Sequence, residues 1–158
     1  MLEVRVTGME EIGQALEEVL ASSRAMRTEL HTDVGRRIKQ ELDINIAGSI
    51  RDSHGRIRSY QVTYVGSGGG YVSVRPGKGD TDKTWRGKPL AKGALTNFLQ
   101  SGHAIRTPSG NARRYRRRIR TAYVDGRGFY TATHARADAI AMEEADAFVD
   151  RLTEMLEK

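Results

Sequence analysis

A long helical pattern near the start of the chain constrains the fold more than any other feature of the sequence. Apolar residues recur every three or four positions from Ile12 to Ile46, the spacing that places them on one face of an α-helix. The pattern predicts about 38 residues of helix, roughly 57 Å at 1.5 Å per residue. A compact domain of 158 residues is narrower than that. We therefore expect the helix to break, at Gly35 or at Ser22-Ser23, or to project toward a neighbouring subunit.

Strand patterns stand on both sides of this helix. Leu2–Thr7 alternates apolar with charged residues and predicts a short strand, and Ile57–Val65 and Tyr71–Arg75 predict two more. The glycine-rich run 66–70 joins the last two and predicts a hairpin loop. Pro76–Lys88 is charged and rich in glycine, so we expect an exposed loop there.

Two further helices and one strand are predicted in the second half of the chain. Pro89–Ser101 begins with a proline and is followed by Gly102, residues suited to the first turn and the end of a helix. Ile119–Val124 predicts a strand, and apolar spacing over Thr133–Glu157 predicts an amphipathic final helix. This order predicts one α+β domain over residues 1–158. We expect a small mixed or antiparallel sheet packed against the long N-terminal helix and the amphipathic C-terminal helix.

The positive charge of the chain is concentrated in one segment. The net charge is +6, and between Ala104 and Gly128 eight arginines stand against the single acid Asp125. The rest of the chain is close to neutral, so we expect a mobile basic loop at about 104–120 on a near-neutral domain. Six of these arginines form the candidate contact site for a DNA channel or a partner: Arg113, Arg114, Arg116, Arg117, Arg118 and Arg120.

Three interpretations of this arginine segment stay open. Its guanidinium groups suit phosphate, and Tyr115 could stack on an exposed base. They also suit an acidic protein surface, or they simply face solvent. The final helix offers such a surface on a second copy of the chain, through the candidate subunit-contact acids Asp138, Glu143, Asp146 and Asp150. The alternative is that these acids only keep the helix hydrated.

Catalytic and metal-binding patterns do not stand out in the sequence. The chain has no cysteine, and its four histidines do not share a metal-ligand spacing. We recognise neither a nucleophile elbow nor a phosphate loop. We therefore expect no enzymatic activity, no catalytic, cofactor or metal site, and no small-molecule substrate. We also expect no signal peptide and no contact with a membrane.

Three short motifs resemble the tail-completion (head–tail joining) proteins of long-tailed bacteriophages, a family that includes the lambdoid minor tail protein Z type. Val4–Glu11 resembles the family's opening strand, glycine and helix. Leu95–Ala104 is similar to its apolar motif that ends in a Gly-His or Gly-Thr pair, although Gln100 stands where a glutamate is frequent. Gly128–Ala132 resembles the family's entry to its last helix, without the family's proline.

The resemblance implies a structural virion protein rather than an enzyme. It implies an oligomeric ring of this chain, expected to be a hexamer, bound to other phage neck and tail proteins. The ring would surround a DNA channel, so the arginine segment is expected to make non-specific contact with packaged DNA or with acidic neighbours. The expected location is the neck or tail of the virion, and the host cytoplasm during assembly.

Two other function classes remain as alternatives. A small basic nucleic-acid-binding module would bind as a monomer, with a steep dependence on salt. A small basic ribonuclease would need a cleft with clustered acid-base groups, for which His103 and Arg106 are the starting candidates.

Overall fold

The computed structural model describes residues 9–52, 54–85, 87–104 and 123–156. The predicted strand Leu2–Thr7 lies outside the described residues, as do the six arginines of the candidate site. The elements, in chain order, are α1 (Met9–Ser49), α2 (Arg56–Ser59), β1 (Gln61–Val65), β2 (Val72–Pro76), β3 (Asp80–Trp85), β4 (Lys88–Ala91), α3 (Lys92–Ser101), β5 (Gly102–Ala104), β6 (Tyr123–Asp125) and α4 (Phe129–Leu156).

The predicted α+β fold is confirmed. Two long helices dominate it, and the strands of the described residues form three separate antiparallel pairs, β1 with β2, β3 with β4, and β5 with β6. The small sheet expected from the sequence is therefore divided into three ribbons. Within the described residues, none of the helices combines the length and apolar character needed to cross a bilayer.

The first helix is continuous, which answers the question that its length raises. α1 contains 41 residues, or about 60 Å of helix at 1.5 Å per residue. α4, with 28 residues, packs along it in the opposite direction. Side chains near the end of α1 contact the start of α4, and earlier side chains of α1 contact later ones of α4. These pairs are Asn45 with Thr133, Glu41 with Arg136, Arg37 with Glu143, and Asp33 with Arg151.

The hydrophobic core lies near the C-terminal end of α1. Leu42, Ile46 and Phe129 are fully buried there, and Ile57 packs with them. Phe129 is the first residue of α4, so the core joins the end of one long helix to the start of the other. Partly buried residues from every neighbouring element complete the cluster: Ile50, Tyr60, Val74, Leu95, Leu99 and Tyr130.

Gly35 is a packing site and not a bend. It is buried in the middle of α1 and faces the β1–β2 hairpin. A Cβ atom at this position would overlap Thr63 and lie 2.6 Å from Val72 Cγ2. The hairpin can approach the helix backbone only because this position has no side chain. At the hairpin tip, Gly69 packs in the same way against Thr28 of α1.

Three local predictions were wrong. The stretch Pro76–Lys88 is not a loop throughout, because it contains β3 and the start of β4, and Pro89 lies in β4 instead of opening α3. Charged and threonine-rich strands lack the apolar alternation that marks a half-buried strand. The strand expected from Ile57 begins only at Gln61. Backbone N–H groups of Ile57 and Arg58 bond to the Asp52 carboxylate and hold a turn of helix there.

Candidate functional site

The acids of α4 fall into an inner and an outer group. Arg37 of α1 reaches the inner group, with Nη2 at 3.1 Å from Glu143 Oε2 and Nε at 3.6 Å from Glu144 Oε1. Further along, Arg151 of α4 lies 3.1 Å from the Asp33 carboxylate of α1. These ion pairs connect the two helices, so the inner acids are neutralised within one copy of the chain.

Asp33 is the most strongly held of these carboxylates. Arg36 donates a hydrogen bond to its Oδ1 at 2.9 Å, and Arg151 donates one to Oδ2 at 3.1 Å. The hydrogen bond from Arg36 is the main reason that the pKa of Asp33 lies below its usual value. The charge of Asp33 is therefore part of the α1–α4 contact and is not offered to a partner.

The outer group of acids is exposed and unpaired. Asp138, Asp146 and Asp150 are all exposed, and none of them makes an ion pair with another described residue. Met142 and Val149 share this side of the helix and are 64% and 57% exposed. Spacings of three, four and seven residues place Asp138, Met142, Asp146 and Val149 on one stripe, and Asp150, four residues after Asp146, lies at its edge. We call this stripe, Asp138, Met142, Asp146, Val149 and Asp150, the outer face of α4.

Of the four acids named from the sequence, the fold brings three together on the outer face. Glu143, the fourth, points toward α1 and bonds to Arg37 of its own chain. The arginines Arg113–Arg120 are outside the described residues, but the two strands that flank their segment are described. The candidate contact site is therefore built here from the outer face of α4 and from the base of the arginine segment.

The base of the arginine segment is the β5–β6 ribbon. Ala104 pairs with Tyr123, and the chain between these two residues holds the arginines. The Tyr123 hydroxyl donates a hydrogen bond to the Ser101 carbonyl at 2.8 Å. Gly102 has φ +79°, and a Cβ on Gly126 would lie 2.5 Å from the Ser101 carbonyl carbon. Glycine at these two positions lets the ribbon pack closely against the end of α3.

A cavity of about 390 Å³ opens beside this ribbon. Phe98, Leu99 and Val124 contribute apolar surface to it, and Arg51 and Arg127, both exposed, contribute positive charge. We call this cavity the base groove. The described residues that line it are Ser49, Ile50, Arg51, Ile57, Phe98, Leu99, His103, Val124, Asp125 and Arg127.

His103 forms part of the groove wall. Its ring lies 5.5 Å from the ring of Phe98, between centroids. Its Nδ1 atom is buried and has no hydrogen-bond partner among the described residues. Arg106, the residue considered with it for ribonuclease chemistry, lies outside the described residues, so that pairing stays a hypothesis.

A second cavity of about 380 Å³ adjoins the base groove and shares Arg51 and Ile57 with it. Its cationic groups Arg56 and Lys83 face Asp82, at 3.0 and 3.8 Å from Oδ2. Asp82 neutralises part of their charge. The Asp52 side chain, only 5% exposed, bonds instead to Arg58. Of the arginines and lysines that line the two cavities, Arg51 and Arg127 are the ones without an ion pair to another described residue.

The outer surface of the β1–β2 hairpin presents a different chemistry. Tyr64 and Tyr71 are 44% and 55% exposed, with ring centroids 6.1 Å apart. Arg75 lies over the Tyr64 ring at 5.1 Å from its centroid, within the range of a cation–π contact. Val62 and Lys78, with Tyr64 and Arg75, line a shallow cavity of about 210 Å³ on this surface. Rings and cations together can contact an unpaired nucleic-acid strand.

Among the residues whose positions are described, no group of three or more histidine or acidic side chains is placed to hold a metal ion. In comparisons with known proteins, no family model, no curated protein and no solved structure matches this chain.

Sequence reasoning missed the base groove, because its lining comes from five separate stretches of chain. Part of the outer face could have been found. Met142 and Val149 stand between the acids on the hydrated side of the predicted helix, where exposed apolar residues have no packing role within the chain. Large exposed apolar side chains that are grouped together indicate a contact surface.

Proposed function

We propose that this chain is a structural subunit of a long-tailed bacteriophage or prophage virion. In this role it completes the tail or joins the tail to the head, as a ring of copies around the DNA channel, and it has no enzymatic activity. The resemblance of three sequence motifs to tail-completion proteins supports the virion assignment. Assembly through contacts between copies is supported by the distribution of charge.

The observation that carries the proposal is the unpaired outer face of α4. The inner acids of the same helix, Glu143 and Glu144, are matched by Arg37 of α1, whereas Asp138, Asp146 and Asp150 have no such partner in the described part of the chain. The arginine segment supplies a large excess of the opposite charge. A basic surface and an acidic surface on one chain favour association between copies.

Such a contact joins two different surfaces, so it is heterologous. After the first contact the pair keeps one free surface of each kind, so further copies can add, and the series either closes into a ring or grows into a filament. A ring is the form that suits a DNA channel. The arginine segment would then face packaged DNA or a neighbouring acidic helix.

Two of the three resembling motifs fall on elements that build the candidate site, and most of the first, Val4–Glu11, lies outside the described residues. Leu95–Ala104 covers most of α3 and all of β5, which form one wall of the base groove. Gly128–Ala132 covers the start of α4 and includes the buried Phe129. Both motifs therefore lie at the end of the molecule that holds the core and the base groove.

The test is the solution mass by light scattering over a range of concentrations, at low and at high salt. The triple variant Asp138→Asn, Asp146→Asn, Asp150→Asn removes the outer charge without touching the core. We expect the wild-type mass to rise with concentration toward a defined oligomer, and the triple variant to associate at least about tenfold more weakly at low salt.

The matched control keeps the charge and changes only the side-chain length: Asp138→Glu, Asp146→Glu, Asp150→Glu. It should associate as the wild type does. A wild-type chain that stays monomeric at every concentration contradicts the assembly role.

A second candidate function is a nucleic-acid-binding module, which the hairpin surface around Tyr64, Tyr71 and Arg75 favours. Stacking on exposed rings is typical of single-strand binding. The same light-scattering series separates the two candidates when single-stranded DNA is added. A chain that is monomeric alone and gains mass only with DNA would favour the binding module.

A further inference from the structure

We infer that the outer face of α4 of one copy docks into the base groove of the next copy. This inference rests on the proposed function and adds the residues of the contact between copies. The partner is a second copy of the same chain, and the surface that receives it lies at the base of the arginine segment.

The two surfaces are complementary in chemistry. The outer face presents the exposed apolar side chains of Met142 and Val149 between carboxylates. The base groove presents apolar surface from Phe98, Leu99 and Val124 beside the guanidinium groups of Arg51 and Arg127. Apolar anchors seven residues apart on one helix, set in a groove with charged borders, are a recurring form of helix recognition.

The charges on both surfaces are available for a partner. Arg51 and Arg127 are exposed and make no ion pair with another described residue, in contrast to the nearby Arg56 and Arg58, which bond to Asp82 and Asp52. Asp146 and Asp150 are likewise unpaired among the described residues. Among the described residues of the groove lining, Asp125 is the one acid, and two arginines outweigh it.

The geometry of one chain prevents the contact from forming within it. Val124 and Arg127 of the groove lie just before Phe129, where α4 begins. Met142 is then about 20 Å along the helix from Phe129, and Val149 about 30 Å, at 1.5 Å per residue. Because α4 is held against α1 along this length, its outer face cannot fold back onto its own groove. The partner has to be another molecule.

The experiment exchanges the charges of the two surfaces. One variant carries Arg51→Glu with Arg127→Glu in the groove, and the other carries Asp146→Arg with Asp150→Arg on α4. In a sample of either variant alone, the groove and the outer face carry charge of the same sign, so every contact is repulsive. We expect such a sample to associate at least about tenfold more weakly than wild type. When the two are mixed, each groove meets an outer face of opposite charge, and the oligomer should return. Light scattering measures the mass in all three samples.

Two further variants sharpen the test. Arg24→Glu with Arg27→Glu changes the net charge as much as the groove variant does, but on exposed α1 residues away from the groove. This control should assemble as the wild type does. Met142→Ser with Val149→Ser removes the apolar anchors without a core cavity and should weaken assembly even at high salt. Circular dichroism verifies that each variant is folded.

The outcomes separate this inference from the proposed function. If the wild type assembles and the charge-reversed variants assemble equally well, or if the mixture of folded variants fails to recover, the groove contact is wrong and the assembly role stands. If the wild type stays monomeric throughout, both are wrong.

Discussion

The side chain of Gln61 shows how this small core accommodates a buried polar group. Gln61 is 2% exposed. Its Nε2 donates to the Ile57 carbonyl at 2.8 Å and also faces Thr96 Oγ1, while its Oε1 accepts from the Tyr130 hydroxyl. A buried amide with all its polar atoms bonded is tolerated, whereas one left without a partner is costly. The contact joins β1 to the first turn of α4, beside the buried Phe129.

We expect Tyr130→Phe to lower the free energy of unfolding by about 1–3 kcal/mol, because it leaves the side-chain oxygen Oε1 of Gln61 buried without a hydrogen-bond donor. Urea unfolding measures the change. Tyr123→Phe is the matched control, since its hydroxyl also donates to an acceptor but the residue is 47% exposed. An equal loss in both variants would contradict the role given to Gln61.

The same tyrosine predicts a dependence of stability on alkaline pH. Burial raises the pKa of Tyr130 from 10.0 to about 12. The pKa of Tyr130 is higher in the folded state than in the unfolded state, so loss of its proton favours unfolding. The contribution of the neutral hydroxyl to the free energy of unfolding is therefore fully present below about pH 10 and is lost as the pH rises toward 12. In that pH window, the free energy of unfolding should fall less steeply with pH in Tyr130→Phe than in wild type.

At the scale of elements, the contact between α1 and the β1–β2 hairpin depends on the absence of a side chain at Gly35. The nearest hairpin atoms belong to Thr63 and Val72 and already fill the space that a Cβ would occupy. We expect Gly35→Ala to destabilise the protein by about 1–3 kcal/mol through overpacking, even though alanine favours helix.

Gly48→Ala is the matched control for that variant, because it lies in the same helix and a Cβ there would meet no atom within 4 Å. It should be neutral or stabilising by up to about 1 kcal/mol. Urea unfolding of both variants checks the pair. If Gly35→Ala were as stable as Gly48→Ala, the close approach of hairpin and helix would be wrong.

The helices could be predicted from the sequence more completely than the strands. The 3.6-residue periodicity of α1 and α4 arises from local spacing, and the buried side of α4, with Ile140 and Glu144, agrees with the predicted stripe. The β3–β4 ribbon has no such periodicity, and its exposed strands depend on pairing with each other. Propensity and pattern are weak guides where a strand has no buried side.

The two parts of the candidate site also differ in how well the sequence predicts them. The acids of α4 lie on one helix, so the sequence alone sufficed to group Asp138, Asp146 and Asp150, together with Glu143. Spacing did not show that Glu143 is paired with Arg37, which lies 106 residues earlier in the chain. The base groove depends on contacts among α1, α3 and the β5–β6 ribbon. Local sequence patterns do not predict such contacts, because the residues that make them are far apart in the chain.

On the scale of the whole molecule, the two proposed contact surfaces are spread along the length of α4. The base groove lies where α4 begins, together with the hydrophobic core and the base of the arginine segment. The outer face extends along the middle of the same helix, from Asp138 to Asp150, alongside the part of α1 that contains Asp33 and Arg37. This separation permits each copy to contact one neighbour with its groove and another with its helix.

The most direct measurement of head-to-tail association uses the absence of cysteine from the chain. A variant with Met142→Cys on the outer face and Val124→Cys in the groove is treated with a short bis-maleimide, and the products are separated by denaturing electrophoresis. We predict a ladder of dimers, trimers and larger species for the double variant, and dimers at most for either single variant. An account in which copies associate through these two surfaces would be contradicted if the double variant gave no species beyond the dimer, or if Met142→Cys alone formed dimers just as efficiently.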